Sequence, residues 1–213
     1  MWRKIIQKQF LKKDKPPTFV EYQHQKIDYR NINNLYIHIP FCRNTCPYCP
    51  YFKEKFEPEK AEKTGIALIK EIELHADHLK GKKIDSLYIG GGTPTLMNET
   101  LGKAIDLLRS FCTIEKIAIE TNPQEINEKV LSELEQMNCN LISLGIQDFN
   151  QKHLDCIGRK YNTQTGLKAI EQVKNRDFDT VNIDLIFAFP QQTIEELDET
   201  LEKAIACDVE QIT

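Results

Sequence analysis

Apolar residues in this chain switch repeatedly between a period of two and a period near three and a half, and that alternation constrains the fold more than any other feature. Leu35-Tyr36-Ile37-His38-Ile39 alternates as a strand does, and residues 58–79 then carry Ile69, Ile72, Ala76 and Leu79 at helical spacing. The order repeats: Leu87-Tyr88-Ile89 precedes a stripe of Leu101, Ala104, Ile105 and Leu108, and Ile117-Ala118-Ile119 precedes Ile126, Val130, Leu131, Leu134 and Met137. Leu141 to Ile146 reads as a fourth strand followed by helical segments to about Asn175. Val181 to Phe187 reads as a fifth, followed by Ile194, Leu197, Leu201 and Ile205 at helical spacing. Strand and helix in strict alternation predict a parallel sheet with its helices outside. Right-handed crossovers then leave an open doubly wound sheet or a barrel.

Both architectures place chemistry on the loops at the carboxyl ends of the strands. The distinctive residues fall there. Cys42 to Cys49 follows the first strand, Gly90-Gly91-Gly92-Thr93-Pro94-Thr95 the second, and Glu120-Thr121-Asn122-Pro123 the third. Gln147 ends the fourth strand, and Asp184 lies inside the fifth, where an unpaired carboxylate is costly. Residues 1–33 form a polar, basic lead-in, and 34–213 the folded core. The lead-in lacks the apolar block and cleavage site of a secretion signal, and no apolar run approaches the ~20 residues of a membrane span. These features point to the cytoplasm and away from an integral membrane protein. A net charge of −4 gives no reason to expect nucleic acid as a partner.

The chain has seven cysteines, an odd number, and no other sign of a disulfide scaffold. Cys112, Cys139, Cys156 and Cys207 are scattered and read as small buried hydrophobes. Cys42, Cys46 and Cys49 are crowded, with Pro40 and Pro47 restricting the backbone around them. Crowded thiolates suit zinc or an iron–sulfur cluster; loop cysteines with no ligand are the bland alternative. Zinc needs a fourth protein ligand, and none follows closely. A [4Fe–4S] cluster held by three cysteines keeps one iron open for chemistry.

The stretch Tyr36-Ile-His-Ile-Pro-Phe-Cys42-x3-Cys46-x2-Cys49 resembles the radical S-adenosylmethionine (SAM) enzymes. Within them it is similar to the oxygen-independent coproporphyrinogen III oxidase branch. The glycine run at 90–95, Leu-Gly-Ile-Gln-Asp-Phe-Asn at 144–150, Gly-Arg at 158–159 and Asn-Ile-Asp-Leu-Ile-Phe at 182–187 match that branch in order. The resemblance covers about Leu35 to Thr213. It implies a partial (β/α)6 TIM-like barrel, truncated near the start of the sixth strand, which "DVEQIT" would open, leaving the fifth strand an unprotected edge.

The same resemblance implies a site. Cys42, Cys46 and Cys49 would hold three irons of a [4Fe–4S] cluster, and the amino and carboxylate groups of SAM would chelate the fourth. Reductive cleavage of SAM would give a 5′-deoxyadenosyl radical that abstracts hydrogen from the substrate. Gly91, Gly92 and Thr93 would bring bare backbone to the SAM amino group, although a tight strand-end turn also uses glycine. Glu120 would accept from the SAM ammonium, or else be a rim carboxylate. Arg159 would pair with the SAM carboxylate, or else lie on a helix surface. Gln147 and Asp184 would bind the ribose hydroxyls, and Tyr36 and Tyr48 would pack beside cluster and adenine unless they are plain core. His38 is supporting or merely packed, and His24, His75, His78 and His153 read as surface residues.

The implied function is radical SAM chemistry, coproporphyrinogen oxidase-like, on a small molecule, possibly a tetrapyrrole. A flavodoxin- or ferredoxin-type protein would supply the electron. A haem chaperone or a radical SAM methyltransferase shares the same core. Two departures from the branch stand out: Tyr51 replaces the cysteine that coproporphyrinogen oxidases carry two places after the third, and Ala188 replaces a glycine.

Overall fold

The computed structural model describes residues 29–213, so most of the basic lead-in lies outside the described residues. A short 3-10 turn, Tyr29–Asn31, leads into strand β1 (Asn34–Ile39). A two-stranded parallel ladder follows, β2 (Phe41–Cys42) with β3 (Glu54–Lys55), which pins the two ends of the cysteine loop together. Helix α1 (Pro58–Leu79) and strand β4 (Lys83–Gly91) come next, then α2 (Asn98–Phe111), β5 (Thr113–Thr121), α3 (Glu128–Gln136) and β6 (Leu141–Gln147). Two helices, α4 (Gln151–Cys156) and α5 (Thr163–Lys174), separate β6 from β7 (Thr180–Leu185). Helix α6 (Ile194–Ala206) and strand β8 (Gln211–Ile212) complete the order.

The main sheet has six strands in the order β1-β4-β5-β6-β7-β8, and every pairing is parallel. Each new strand joins on the same side as the last. A doubly wound sheet reverses direction partway, so this order selects a barrel wall over the doubly wound alternative. Helices therefore cover one sheet face. Ile37, Ile39, Leu87, Ile89, Ile117, Ile119, Ile142, Leu144 and Ile183 point to that face and are at most 7% exposed. They pack on Ile72, Leu79, Leu101, Ile105, Leu131, Leu134 and Val173 from the helices. Side chains alternate along a strand, so the other face carries Tyr36, His38, Tyr88, Glu120, Ser143, Asn182 and Asp184. That polar face is the inner wall of the incomplete barrel.

Local chemistry fixes the helix starts. Asn127, Asn150 and Asn162 cap α3, α4 and α5 by accepting from Val130, Lys152 and Thr165 backbone N–H groups. Each such cap contributes about 1 kcal/mol. Thr193 and Glu196 form a reciprocal capping box on α6.

The structure corrects three expectations. The fifth strand stops at Leu185, short of Phe187, which is 72% exposed; Ala188 turns the chain with φ 65°. The fifth strand is also not left bare. Asn182 and Ile183 pair with Gln211 and Ile212, and the Thr213 N–H donates to the Ile183 carbonyl at 3.0 Å. Among the scattered cysteines, Cys112 and Cys139 are buried as expected and Cys207 half-buried, but Cys156 is exposed. Among the described residues, no helix is long and apolar enough to cross a membrane.

Candidate cofactor site

The glycine run is built around the end of β1. Gly91 has φ 121°, and a Cβ there would sit 2.6 Å from the Ile39 carbonyl oxygen. A Cβ on Gly92 would meet the Phe41 carbonyl oxygen at 2.6 Å and the Cys42 sulfur at 2.9 Å. The Gly92 and Thr93 N–H groups donate to Ile39 and Phe41 carbonyls, both at 2.7 Å. These glycines let β4 cross tightly against the strand that launches the cysteine loop, a close approach within the chain itself that sequence reading did not foresee. Gly90 has a related role, since its Cβ would strike the Glu120 carboxyl group at 3.0 Å.

Around this crossing the cysteine loop takes its anchor points. Thr93 is buried, and its hydroxyl donates to Cys42 Sγ at 3.6 Å. Burial pushes the Cys42 thiol up; the Thr93 hydrogen bond opposes this, and Cys46 and Cys49 add to it. All three cysteines are half-buried and free of disulfides. Among the described residues, no three Cys, His, Asp or Glu side chains are grouped closely enough to hold a metal ion.

Arg159, just past α4, reaches the cysteine loop. Its Nη2 donates to the Tyr48 hydroxyl at 2.9 Å, and its guanidinium lies 5.9 Å from the Tyr48 ring centre. Burial works against the charge, but Tyr161, Tyr48 and Cys46 outweigh it, and the guanidinium stays charged. Its Nε is buried with no hydrogen-bond partner. Arg159 lines a small cleft together with Cys46, Thr93, Asn122 and Arg43. The surface-arginine alternative is thereby excluded. Two glycines make room for this arm. A Cβ at Gly145 would lie 2.8 Å from Gln147 Nε2 and 3.2 Å from Arg159 Nη2, and Gly158 (φ 74°) lies against Pro47 of the cysteine loop.

Glu120 is half-buried. It accepts from the Tyr88 hydroxyl at 2.9 Å and from the Gly91 N–H at 3.1 Å. Burial, then the Glu120 charge, pushes the Tyr88 hydroxyl well above its ordinary range. Gln147 is 7% exposed and adopts φ 71°, where strand β6 slips register against β7. Asp184 accepts from Ser143 Oγ at 3.0 Å and from Asn182 Nδ2 at 2.8 Å, so its strand position is compensated by hydrogen bonds.

Tyr36 is 58% exposed, which rules out plain core. Its hydroxyl pairs with His38 Nδ1 at 2.9 Å, while His38 Nε2 meets the Phe52 carbonyl at 3.0 Å. His75 and His78 flank Tyr29, His75 by hydrogen bond and the exposed His78 by stacking; His24 lies outside the described residues. His153 contradicts its surface reading outright, being 1% exposed and bonded to Asp148. Periodicity could not reveal this, because α4 is only six residues long.

The structure thus brings Cys42, Cys46, Cys49, Tyr48, Gly92, Thr93 and Arg159 into one neighbourhood. Glu120, Gln147 and Asp184 lie at or near the carboxyl ends of the neighbouring strands. Sequence reading missed Tyr88, Gly145, Gly158 and Tyr161; the two glycines stood inside quoted motifs, but neither tyrosine carried a signal.

A parallel barrel wall with a three-cysteine loop at the carboxyl end of its first strand defines a class of cofactor-dependent α/β proteins. The radical SAM superfamily model matches residues 36–204, and the chain belongs to that superfamily. The family's cofactors are a [4Fe–4S] cluster and SAM. The heme chaperone HemW of Lactococcus lactis is 33% identical over 175 residues, covering 80% of this chain and 45% of its own. The oxygen-independent coproporphyrinogen III oxidase of Escherichia coli is 34% identical over 175 residues, covering 80% of this chain and 38% of its own. The solved Escherichia coli coproporphyrinogen III oxidase HemN superposes with a TM-score of 0.77 at 30% identity, over 84% of this chain and 43% of that one. This chain therefore spans less than half the length of these relatives.

Proposed function

We propose that this chain binds a [4Fe–4S] cluster through Cys42, Cys46 and Cys49 and SAM at the carboxyl ends of its strands, and serves radical chemistry on a tetrapyrrole. The observation that carries this reading is the buried Arg159 Nε, without a protein partner, beside the cleft lined by Cys46 and Thr93. A buried charged donor with a free N–H calls for an anionic acceptor, and a carboxylate fits a guanidinium with two parallel bonds. The donor set also fits: three thiolates leave one cluster iron for a ligand that is not protein. When bound, the cluster and SAM together supply the 5′-deoxyadenosyl radical.

This chain's residues do the binding and orienting. Arg159 meets the SAM carboxylate. Glu120, held by Tyr88 and Gly91, offers its carboxylate to the ammonium. Gln147 and Asp184 address the ribose. Tyr36 and Tyr48 border the cluster and adenine, and Thr93 hydrogen-bonds the Cys42 sulfur. A flavodoxin- or ferredoxin-type protein supplies the electron, in the cytoplasm. Anaerobic reconstitution with iron and sulfide, followed by reductant and SAM, tests the reading. The expected products are methionine and 5′-deoxyadenosine; a protein that takes up iron yet neither binds nor cleaves SAM overturns it.

A second reading, haem binding and delivery with little turnover, has its own support. Tyr51 and Phe52, just past Cys49, are 70% and 67% exposed. Phe52 lies 6.2 Å from the His38 ring, and Tyr36 lies 6.1 Å from Tyr88. Exposed rings beside the site suit a flat apolar ligand. Tight stoichiometric haem binding without substrate-dependent deoxyadenosine favours this reading over turnover.

A further inference from the structure

Asp148 and His153 form a fully enclosed pair that the proposed cofactor roles leave unused. Their side chains are 0% and 1% exposed, and His153 Nδ1 lies 2.9 Å from Asp148 Oδ2. The other carboxylate oxygen accepts from Thr200 Oγ1 of α6 at 2.9 Å and from the Asn150 N–H at 2.7 Å. The Phe189 ring stacks flat on His153 at 4.6 Å, 7° from parallel. Asp148 therefore ties the end of β6 to α4 and α6, and Phe189 adds the segment between β7 and α6.

This knot stands directly beside two proposed SAM contacts. Asp148 follows Gln147, whose φ of 71° is a conformation that costs a non-glycine residue about 1–2 kcal/mol and needs surroundings that enforce it. His153 lies on α4, and α4 delivers Arg159. The Ile157 N–H donates to the His153 carbonyl at 3.1 Å and the Arg159 N–H to the Leu154 carbonyl at 2.9 Å. A six-residue helix has no independent stability, so tertiary contacts set its place. The His153 side chain supplies such a contact, fastening α4 to the residue next to Gln147.

We infer that His153, acting through Asp148, is a positioning residue that fixes Gln147 and Arg159 together as one arm of the SAM pocket. The inference rests on the proposed SAM site. It assigns His153 no contact with cofactor or substrate. Lys152 and Glu196, paired at 3.2 Å, flank the knot; Glu196 approaches His153 Nε2 at 3.5 Å without a hydrogen bond, leaving that nitrogen unpartnered.

The test compares His153→Leu with His153→Asn in the reconstituted full chain. Asparagine keeps an N–H donor where Nδ1 stands; leucine keeps bulk and loses the donor. Both are expected to lower the melting temperature. Only the leucine variant should weaken SAM binding at equilibrium, by about tenfold or more, with asparagine within roughly threefold of wild type. Equal losses in both variants, or a lower melting temperature in the leucine variant with unchanged SAM affinity, overturns the inference. Backbone amide exchange supplies a readout independent of SAM. The leucine variant should lose protection across residues 147–159 while β1, β4 and β5 keep theirs, and asparagine should not; uniform loss in both overturns the inference. If wild-type protein binds no SAM while the two variants differ in this local way, the result counts against the proposed function and supports the pin.

Discussion

Replacing Gly92 with alanine tests the link between the sheet and the cysteine loop. The new Cβ would lie 2.6 Å from the Phe41 carbonyl oxygen and 2.9 Å from the Cys42 sulfur, where ordinary contact begins at 3.4 Å. The oxygen belongs to the backbone of β2, so it can retreat only by moving that strand, which follows directly on β1. That movement pulls on the Gly92–Ile39 and Thr93–Phe41 hydrogen bonds, both 2.7 Å. Overpacking of this kind costs about 1–3 kcal/mol, and each weakened hydrogen bond about 0.5–1.5 kcal/mol. A loss of about 2–6 kcal/mol follows, equivalent in a chain of this size to a melting temperature lower by roughly 4–24 °C. Gly102→Ala is the matched control. Its Cβ meets nothing nearer than Met137 Cγ at 4.0 Å, within α2, where alanine is favoured over glycine by about 0.5–1 kcal/mol. Circular dichroism melts of both variants, with iron and sulfide content after reconstitution, provide the assay. Gly92→Ala should melt lower and retain less iron, and Gly102→Ala should melt slightly higher. A Gly92→Ala protein that melts within about 1 °C of wild type would show that the crossing is not as tight as described.

Three further outcomes are expected. Arg159→Met should weaken SAM binding by roughly 10–100-fold, the worth of about 1.5–3 kcal/mol for a charged hydrogen bond, and Arg159→Lys should recover only part, by calorimetry on reconstituted protein. Tyr88→Phe removes the donor to Glu120 Oε1 and should weaken SAM binding severalfold, roughly the loss of one hydrogen bond, while the melting temperature stays close to wild type. Burial pushes the Cys139 thiol up to about 12, above its ordinary 9.0. The unfolded chain therefore loses this proton first, and stability present below about pH 9 should fall by about 1.4 kcal/mol per unit as pH rises towards 12. Melts of Cys139→Ala between neutral and alkaline pH should show a shallower fall than wild type; an unchanged slope would assign the alkaline loss to other groups.

The strand–helix alternation was legible because each unit buries one regular face. The Ile37/Ile39 and Ile117/Ile119 pairs and the α2 stripe are periodic for that reason, and helix α1 falls where its stripe lies, over Pro58–Leu79. The cysteine loop and glycine run stood out because three cysteines within eight residues, and three consecutive glycines, exceed what a strand-end turn needs. His153 was not legible. Its burial comes from Asp148, Thr200 and Phe189, which approach from three different segments, and a six-residue helix carries too little periodicity to show which side faces inward. The close fit at Gly92 was hidden for the same reason: a sequence shows that a glycine is present, not which backbone oxygen crosses beside it. Phe187 misled because an apolar residue continuing a strand pattern looks the same whether the strand continues or, as here, ends at Leu185.

Electron paramagnetic resonance of the reconstituted, reduced chain, recorded with and without SAM, tests the central claim most directly. A cluster held by Cys42, Cys46 and Cys49 alone has one iron free for SAM, so adding SAM should shift the reduced-cluster signal, and Cys46→Ala should abolish the signal altogether. A reduced [4Fe–4S] signal that SAM leaves unchanged, or one that survives in Cys46→Ala, would contradict the account.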